Sequence, residues 1–224
     1  MQPPTLSVFF PMYNESANIA VTLERALAVI PSLGFADFEI LVIDDGSRDD
    51  SALVVRRAAE REPRIRLVSH PRNLGYGAAL RTGFTAARGD VVFYTDSDLP
   101  IELGEIARAL PLLAGTDLVI GYRLRRYDTP RRALYSKVYN LLMRILFGVR
   151  VRDVNFSFKL VRRRVLDAIQ LSAATVFIDG QLLAEAVRRG FQITEMPIEY
   201  TPRQVGASSF DSVRAAWVTL VEML

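Results

Sequence analysis

Two aspartates, Asp96 and Asp98, are separated by one residue and directly follow the apolar run Val91–Tyr94. The run has the length and composition of a buried strand, so both carboxylates are predicted to lie just past its end. Two carboxylates so placed can hold a hard divalent cation that takes its other ligands from substrate phosphates. Such a cation neutralises charge on a departing diphosphate. Asp-x-Asp alone is a weak signal, and its position after a strand strengthens it.

Composition excludes most other catalytic classes. The 224 residues include no cysteine and a single histidine, His70. This excludes disulfide scaffolds, zinc–thiolate sites, iron–sulfur clusters and cysteine nucleophiles. It also disfavours histidine metal cages and Ser-His-Asp catalysis. Acid–base or metal chemistry must therefore depend on carboxylates.

Positive charge is concentrated in one part of the chain. The net charge is +3, yet residues 121–164 carry 13 basic side chains and two acidic ones. Such a block is typical of a protein with a phosphate-bearing partner, either a nucleotide, a nucleic acid or an anionic membrane. An arginine-rich composition with solvated helix faces would give the same pattern.

Strand and helix patterns alternate through the first half of the chain. Strands without polar alternation, separated by helices, predict a parallel sheet covered on both faces. Ligands of such sheets bind at the carboxyl ends of the strands. The polar residues that follow three of the strands are therefore predicted to meet along one edge. They are Tyr13-Asn14-Glu15, Asp44-Asp45 and Asp96-Ser97-Asp98.

Two amphipathic segments characterise the second half. Arg131–Phe147 combines an apolar stripe with basic residues, so it can pack on the core, lie in a membrane interface, or do both. Phe210–Leu224 is the second such segment. We expect a catalytic domain over 1–209 and a C-terminal amphipathic segment over 210–224 that could lead into a membrane region. No signal peptide or membrane-spanning run is visible, which predicts a cytoplasmic location or a peripheral one on the cytoplasmic face of a membrane.

Several motifs together resemble one enzyme family. In order and spacing they are similar to those of the inverting glycosyltransferases of family two, and among these to the polyprenyl-phosphate sugar transferases. No single motif is specific, but the set is. The matching stretches are Val8–Ile19, Asp44–Asp49, Asn73–Gly83, Gly89–Leu99, Arg132–Lys137 and Pro197–Ser208.

The resemblance implies an α/β GT-A (Rossmann-like) fold, a mostly parallel central sheet flanked by helices, with amphipathic helices at a membrane interface. It implies transfer of a sugar from GDP-mannose or a UDP-hexose to a polyprenyl phosphate, with Mg²⁺ or Mn²⁺. Four residues would be catalytic. Asp96 and Asp98 would hold the metal, and Arg132 and Arg203 would contact phosphates. The implied donor-binding residues are Pro11, Tyr13, Glu15, Asp44, Asp45, Ser97 and Arg123. The implied acceptor-binding residues are Ser136, Ser208 and Asp179.

Some positions depart from the family pattern. Pro100 stands where relatives often carry a glutamine metal ligand, and Ser209 stands where they often carry a lysine. A phosphate acceptor is already anionic and needs no general base. A sugar hydroxyl would need one, and Asp179 is then the best candidate, although it could equally cap a helix.

Other functions stay open at this stage. The first is a family-two enzyme acting on a soluble or cell-wall saccharide. The second is a non-enzymatic membrane-docking domain, or one that binds a membrane-protein partner. The third is an Asp-nucleophile phosphotransferase. Pro100 disfavours it, and so does the position of Asp96 and Asp98 after the fourth predicted strand, because that class normally carries its acids after the first. A nicotinamide site is rejected because Leu80 occupies the sixth position of the motif that begins at Gly75. No nucleic-acid partner is expected.

Overall fold

The computed structural model describes residues 5–125, 130–200, 218–219 and 222–223, with only the backbone at 130–132. Strands and helices alternate through most of these ranges. The strands are β1 (Leu6–Met12), β2 (Phe38–Asp44), β3 (Ile65–Ser69), β4 (Val91–Tyr94), β5 (Leu118–Arg123), β6 (Lys159–Arg162) and β7 (Ile193–Ile198). The helices are α1 (Ile19–Val29), α2 (Ser51–Arg61), α3 (Tyr76–Ala86), α4 (Glu105–Leu113), α5 (Pro130–Phe147), α6 (Arg163–Ala168) and α7 (Phe177–Arg188). A 3₁₀ turn, Ile30–Leu33, follows α1.

The seven strands form one sheet in the order β3-β2-β1-β4-β6-β5-β7. Strands β1 to β4 are parallel, and β5 is parallel to β7. Strand β6 lies between β4 and β5 and is antiparallel to both. The predicted mostly parallel sheet is therefore confirmed. The sequence reasoning missed β6, because a four-residue strand directly followed by a helix has too little pattern of its own.

Each face of the sheet has its own apolar core. On one face, α1, α2 and α4 contribute Ile19, Leu23, Val55 and Ile106. On the other, α3, α5, α6 and α7 contribute Leu80, Met143, Val165 and Leu182. Helix α3 lies so close to β1 that a Cβ atom at Gly83 would be 2.3 Å from the ring of Phe9. Burial on both faces explains why the strands read as apolar runs without alternation.

Helix α5 is buried on one side only. Met143 is fully buried, and Tyr139, Leu142 and Phe147 pack against the core. The opposite side leaves four apolar residues at helical spacing exposed to solvent: Leu134, Val138, Leu141 and Ile145. No helix within the described ranges is long and apolar enough to cross a membrane.

The last segment of the chain returns to the core. Most of 210–224 lies outside the described residues, but Met223 is buried in the core formed by α3, α5, α6 and α7. Glu222 accepts hydrogen bonds from the backbone N–H groups of Ala174 and Thr175, at 2.6 and 3.1 Å. At least part of the predicted amphipathic segment therefore packs on the protein and binds the loop before α7. The division at residue 209 stays a prediction.

Candidate active site

The carboxyl ends of β1, β2, β4, β5 and β7 lie along one edge of the sheet, because all five strands run in the same direction. Strand β6 runs the opposite way, so its amino end reaches this edge. The three predicted polar clusters therefore do meet along one border. Residues from two later regions, around 123 and around 157, join them there.

The loop after β1 is tied to the loop after β2. Asn14 adopts a left-handed backbone conformation (φ 54°), which asparagine tolerates better than most residues. Its N–H donates to the Ser47 hydroxyl at 3.0 Å, and its side-chain oxygen accepts from the N–H of Arg48 at 2.8 Å. The N–H of Glu15 donates to the Ser51 hydroxyl at 2.8 Å. These bonds fix the shape of the edge where the predicted donor residues lie.

The predicted donor residues of this loop differ in exposure. Tyr13 is 37% exposed, so its ring faces solvent at the edge, whereas Pro11 is buried inside β1 and pairs with Ile43. Glu15 is 8% exposed and accepts a hydrogen bond from the side-chain amide of Asn18 at 2.7 Å. Tyr13 is thus the member that can stack on a planar ring, and Pro11 can act only through the backbone it shapes.

The two acids at the end of β2 stabilise separate turns. Asp44 accepts the N–H of Ser47 at 2.9 Å. Asp45 accepts the N–H groups of Leu74 and Gly75 at 2.8 and 2.9 Å, and its Oδ1 lies 2.7 Å from Nδ1 of His70. Both oxygens of Asp45 therefore hold the 70–75 loop. If Asp45 also binds the donor, the same two oxygens must make both sets of contacts.

The Gly75-Tyr76-Gly77 stretch begins α3. Gly75 has φ 96° and starts the helix. A Cβ atom at Gly77 would lie 2.5 Å from the backbone of Ala174. The backbone N–H of Gly77 donates to the carbonyl of Ala174 at 3.2 Å. These glycines therefore allow close packing at the start of the helix. The packing brings the hydroxyl of Tyr76 to 3.4 Å from Oδ1 of Asp96.

Asp96 and Asp98 follow β4 in a tight turn. The N–H of Leu99 donates to the carbonyl of Asp96 at 3.1 Å, and Leu99 adopts the left-handed conformation (φ 45°). Non-glycine residues in that region cost on the order of 1–3 kcal/mol and tend to occur at functional sites. Between the two acids, Ser97 is only 4% exposed, and its carbonyl accepts the Thr22 hydroxyl at 2.6 Å. Ser97 therefore anchors the turn to α1 between the two carboxylates.

The pKa of Asp96 is raised from 3.8 to about 7. Burial of the carboxyl group is the largest cause, and the negative charge of Asp98 is the next. A hydrogen bond from Ser157 and the positive charge of Lys159 act in the opposite direction. Two carboxylates this close repel each other, and a divalent cation bound between them would neutralise their charge.

Asp96 and Asp98 fit a hard cation that takes most of its ligands from groups other than these two side chains. Within the described ranges, no three or more His, Cys, Asp or Glu side chains are grouped so that they could hold a metal ion. A metal bound here would therefore take ligands from the substrate or from water, as Mg²⁺ sites on phosphate substrates do. Asp96 and Asp98 are the residues that would hold it.

Behind Asp96 lies a buried charged cluster, formed by Lys159, Asp179 and Tyr94. Nζ of Lys159 is 2.7 Å from Oδ1 of Asp179 and 3.2 Å from the hydroxyl of Tyr94. That hydroxyl also donates to Asp179. The pKa of Tyr94 is raised, first by burial and then by the charge of Asp179. Asp179 lies in the first turn of α7, whose N-cap is Val176, so the helix-cap interpretation of Asp179 is wrong.

Arg123 stands at the end of β5 and binds Asp153. Its Nε and Nη2 donate to the two carboxylate oxygens at 2.8 and 3.1 Å. The guanidinium also lies 5.5 Å from the ring centre of Phe156 and 5.6 Å from that of Tyr200. This bidentate, ring-flanked geometry fixes the group rigidly at the edge.

The remaining predicted residues belong to less completely described regions. Ser136 is half-buried on α5. The backbone of Arg132 lies in the first turn of the same helix, and its side chain is outside the described residues. Arg203 and Ser208 lie wholly outside them. Their roles in phosphate and acceptor binding stay predictions.

Sequence reasoning missed the second layer of the site. The sequence identified Lys159 only as part of the basic block and did not single out Tyr94, Tyr76 or Ser157 as site residues. One signal was available. Lys159 is a single charge in an otherwise apolar stretch, Phe158–Val161, and such a residue needs a buried partner.

Several known proteins are similar to this chain. The family model described as glycosyl transferase family 2 matches residues 7–170. An undecaprenyl-phosphate 4-deoxy-4-formamido-L-arabinose transferase of Pseudomonas fluorescens is 35% identical over 213 residues, 93% of this chain and 61% of that protein. The glycosyltransferase AglD of Haloferax volcanii is 32% identical over 218 residues, 93% of this chain and 35% of that protein. The chain thus spans about three-fifths of the first relative and about one-third of the second.

A solved structure shares the fold. Glucosyl-3-phosphoglycerate synthase of Mycobacterium tuberculosis, crystallised with Mn²⁺, UDP and glucosyl-3-phosphoglycerate, superposes with a TM-score of 0.72 at 23% identity. The match covers 98% of this chain and 80% of that one. The GT-A architecture that the sequence resemblance implied is therefore confirmed.

The raised pKa of Asp96 predicts a specific pH dependence of stability in metal-free buffer. The folded state holds this proton more tightly than the unfolded state, so the protonated carboxyl group of Asp96 stabilises the fold. This stabilisation is complete below about pH 4 and is lost as the pH rises to about 7. The unfolding free energy of the wild type minus that of Asp96→Asn should fall over this range by roughly 3–4 kcal/mol. Urea unfolding with a chelator present measures it.

The Asp98→Asn background supplies the control for this titration. Removing the charge of Asp98 lowers the pKa of Asp96, so the same comparison made in that background should show a weaker pH dependence. Parallel pH curves for the wild type and Asp96→Asn would contradict the assignment.

Proposed function

This chain belongs to glycosyl transferase family 2, and from that premise we propose that it transfers a sugar from a nucleotide-sugar donor to a polyprenyl phosphate, with inversion at the anomeric carbon. The observation that carries the proposal is the position of Asp96 and Asp98 beyond β4 at the carboxyl edge of the sheet. Open α/β sheets bind nucleotides at this edge. The relatives named for undecaprenyl-phosphate transfer and the neighbour crystallised with UDP and Mn²⁺ support the same choice.

The donor would lie across the ends of β1, β2 and β4. The nucleoside would occupy the side of Tyr13 and Asp44, where the exposed ring can stack on the base. The diphosphate would lie toward Asp96 and Asp98. A Mg²⁺ or Mn²⁺ ion held by these two residues would supply positive charge to the leaving diphosphate. GDP-mannose and UDP-hexoses are the donor classes proposed.

The acceptor would react without a general base. A phosphate oxygen of the polyprenyl phosphate forms the new bond to the anomeric carbon as the bond to the nucleoside diphosphate breaks, and the electron pair leaves with the diphosphate. Asp179, the candidate base for a sugar hydroxyl, is 2% exposed and paired with Lys159. A general base must lie within hydrogen-bond reach of the proton it removes. Its burial therefore favours a phosphate over a soluble or cell-wall saccharide.

The basic residues of the second half would receive the phosphates. Arginine suits this task because its planar fork binds phosphate in a bidentate manner and stays charged. Arg132 and Arg203 are proposed for the phosphates of donor and acceptor, together with Ser136 and Ser208. Arg123, proposed for donor binding, is held at the same edge by Asp153, whose carboxylate compensates the charge of the guanidinium.

The exposed side of α5 is proposed to lie on the membrane that contains the acceptor. Leu134, Val138, Leu141 and Ile145 are between 47% and 68% exposed and share one side of the helix. Lys137 and Arg144 are exposed beside them. Apolar insertion combined with cations near anionic headgroups is how interfacial helices bind a bilayer. This contact would bring a lipid-linked phosphate close to the sheet edge.

We predict that Asp98→Asn abolishes metal-dependent transfer while the fold stays intact. Losing a charged ligand should lower the rate on the order of 100-fold or more. Transfer is measured with Mg²⁺ or Mn²⁺, and folding by circular dichroism. Asp167→Asn makes the same chemical change on α6, which follows β6 at the opposite edge, and should keep full activity. Near-wild-type turnover of Asp98→Asn would reject the site.

We predict that the transferred sugar appears in lipid. Radiolabelled nucleotide sugars are incubated with the protein and with either a polyprenyl phosphate or the matching unphosphorylated polyprenol. Label should enter the organic phase only with the phosphate, because only that acceptor is anionic without a base. Label found solely in water-soluble saccharide would instead support the cell-wall or soluble-acceptor alternative.

Binding to vesicles tests the membrane surface separately. The double variant Leu141→Gln/Ile145→Gln should reduce binding to phosphatidylglycerol vesicles by about 10-fold or more, since burying such side chains is worth roughly 1.5–3 kcal/mol each when complete. Leu53→Gln, an exposed leucine on α2, is the matched control and should bind like the wild type. Equal binding by all three proteins would refute a membrane role for α5.

A further inference from the structure

Lys159 is a fully buried ammonium group whose three protons all have acceptors. It is 0% exposed and lies in β6, paired with Tyr94 of β4 on one side and Ile120 of β5 on the other. Nζ is 2.7 Å from Oδ1 of Asp179, 2.8 Å from the carbonyl oxygen of Phe156 and 3.2 Å from the hydroxyl of Tyr94. An ammonium has three N–H donors, so this pocket satisfies it completely.

Two of these acceptors lead to the Asp96 carboxyl group. The hydroxyl of Tyr94 has a single proton, which Asp179 or the hydroxyl of Tyr76 can accept. The hydroxyl of Tyr76 in turn donates to Oδ1 of Asp96 at 3.4 Å. The carbonyl of Phe156 precedes Ser157, whose side chain also hydrogen-bonds to Asp96. Both hydroxyl donors that orient Asp96 are therefore anchored on Lys159, one through a side chain and one through the backbone.

We propose that Lys159 and Asp179 are positioning residues, which hold Asp96 in the orientation that binds the metal–diphosphate part of the donor through Tyr94, Tyr76 and Ser157. The proposal rests on the proposed function, since it takes Asp96 as a ligand-binding group. It gives Asp179 a role different from acceptor binding or base catalysis. Neither Lys159 nor Asp179 touches substrate. They act by fixing the groups that fix Asp96.

The physical reason for a charged pair at this place is geometric rather than energetic. Replacing a buried ion pair by apolar residues of similar size is often neutral or stabilising, because the charges no longer have to be desolvated. Stability alone therefore gives no reason to keep Lys159 and Asp179. An ammonium has directional donors that can hold a hydroxyl and a carbonyl in fixed positions at once, which an apolar side chain cannot do.

This difference allows stability and binding to be separated. Lys159→Met alone leaves Asp179 buried without its cation and should destabilise the protein. The double variant Lys159→Met/Asp179→Leu removes both charges and should recover most of that stability. It still lacks the anchors for Tyr94 and for the Phe156 carbonyl, so Asp96 should remain misoriented. Recovered stability with unrecovered binding is the signature of a positioning pair.

The test is calorimetric titration of Mn²⁺ with UDP and, separately, with GDP into the full chain, with urea midpoints measured on the same proteins. The double variant should bind the Mn²⁺–nucleotide at least 10-fold more weakly than the wild type while unfolding at a similar midpoint. Tyr76→Phe, which removes one donor to Asp96, should weaken binding about 3- to 10-fold. Tyr139→Phe is the control, because this buried hydroxyl near α7 has no hydrogen-bond partner among the described residues, and its affinity should be unchanged.

The possible failures are distinguishable. If the wild type and the double variant bind the Mn²⁺–nucleotide with equal affinity, the positioning role is overturned and the proposed function is left intact. No Mn²⁺-dependent binding of either nucleotide by the wild type overturns the proposed function, and the inference with it. If the double variant does not fold, Tyr76→Phe/Ser157→Ala decides, because it removes both donors to Asp96 without disturbing the ion pair. Wild-type affinity in that variant overturns the inference.

Discussion

Strand β6 pairs with β4 on one side and β5 on the other, and this antiparallel insertion determines most of what surrounds the candidate site. Because β6 runs against its neighbours, its amino end meets the carboxyl ends of β4 and β5. That brings Ser157 and Lys159 behind the turn that carries Asp96 and Asp98. Strand β6 joins β4 to β5 in the sheet, so it fixes the position of the acidic residues of the first half relative to the residues of the second half.

Electrostatics at the edge are arranged in two layers. In front, Asp96 and Asp98 repel each other, and the pKa of Asp96 rises because its ionised form is both desolvated and close to a like charge. Behind them, Lys159 faces Asp179 as a closed, satisfied pair. The front layer can be neutralised by a cation that arrives with a diphosphate. The back layer is complete within the protein, so it can act as a rigid support.

The loops that border the site owe their shape to buried polar contacts rather than to regular structure. Asp45 gathers His70, Leu74 and Gly75, and the chain then enters α3 with Gly77 pressed on the backbone of Ala174. Glu222 binds the same 173–175 loop from the C-terminal side. One loop therefore contacts the helix that presents Tyr76 and the last described residues of the chain. A side chain at Gly77 would have to displace backbone, which has no freedom to move away.

The amino-acid sequence alone was enough for the parallel layout of the first half, for the edge where polar residues collect, and for the pair Asp96–Asp98. These features depend on local periodicity and on the rule that parallel strands open at one edge, so a single sequence reveals them. Strand β6, the buried pair Lys159–Asp179 and the two hydroxyls that hold Asp96 were decided only by the tertiary structure. Tyr76, Tyr94, Ser157 and Asp179 lie on four separate stretches of chain, and hydrogen bonds between distant segments leave no periodic trace. A charge such as Lys159 shows in the sequence that a buried partner must exist, but packing alone determines which carboxylate that partner is.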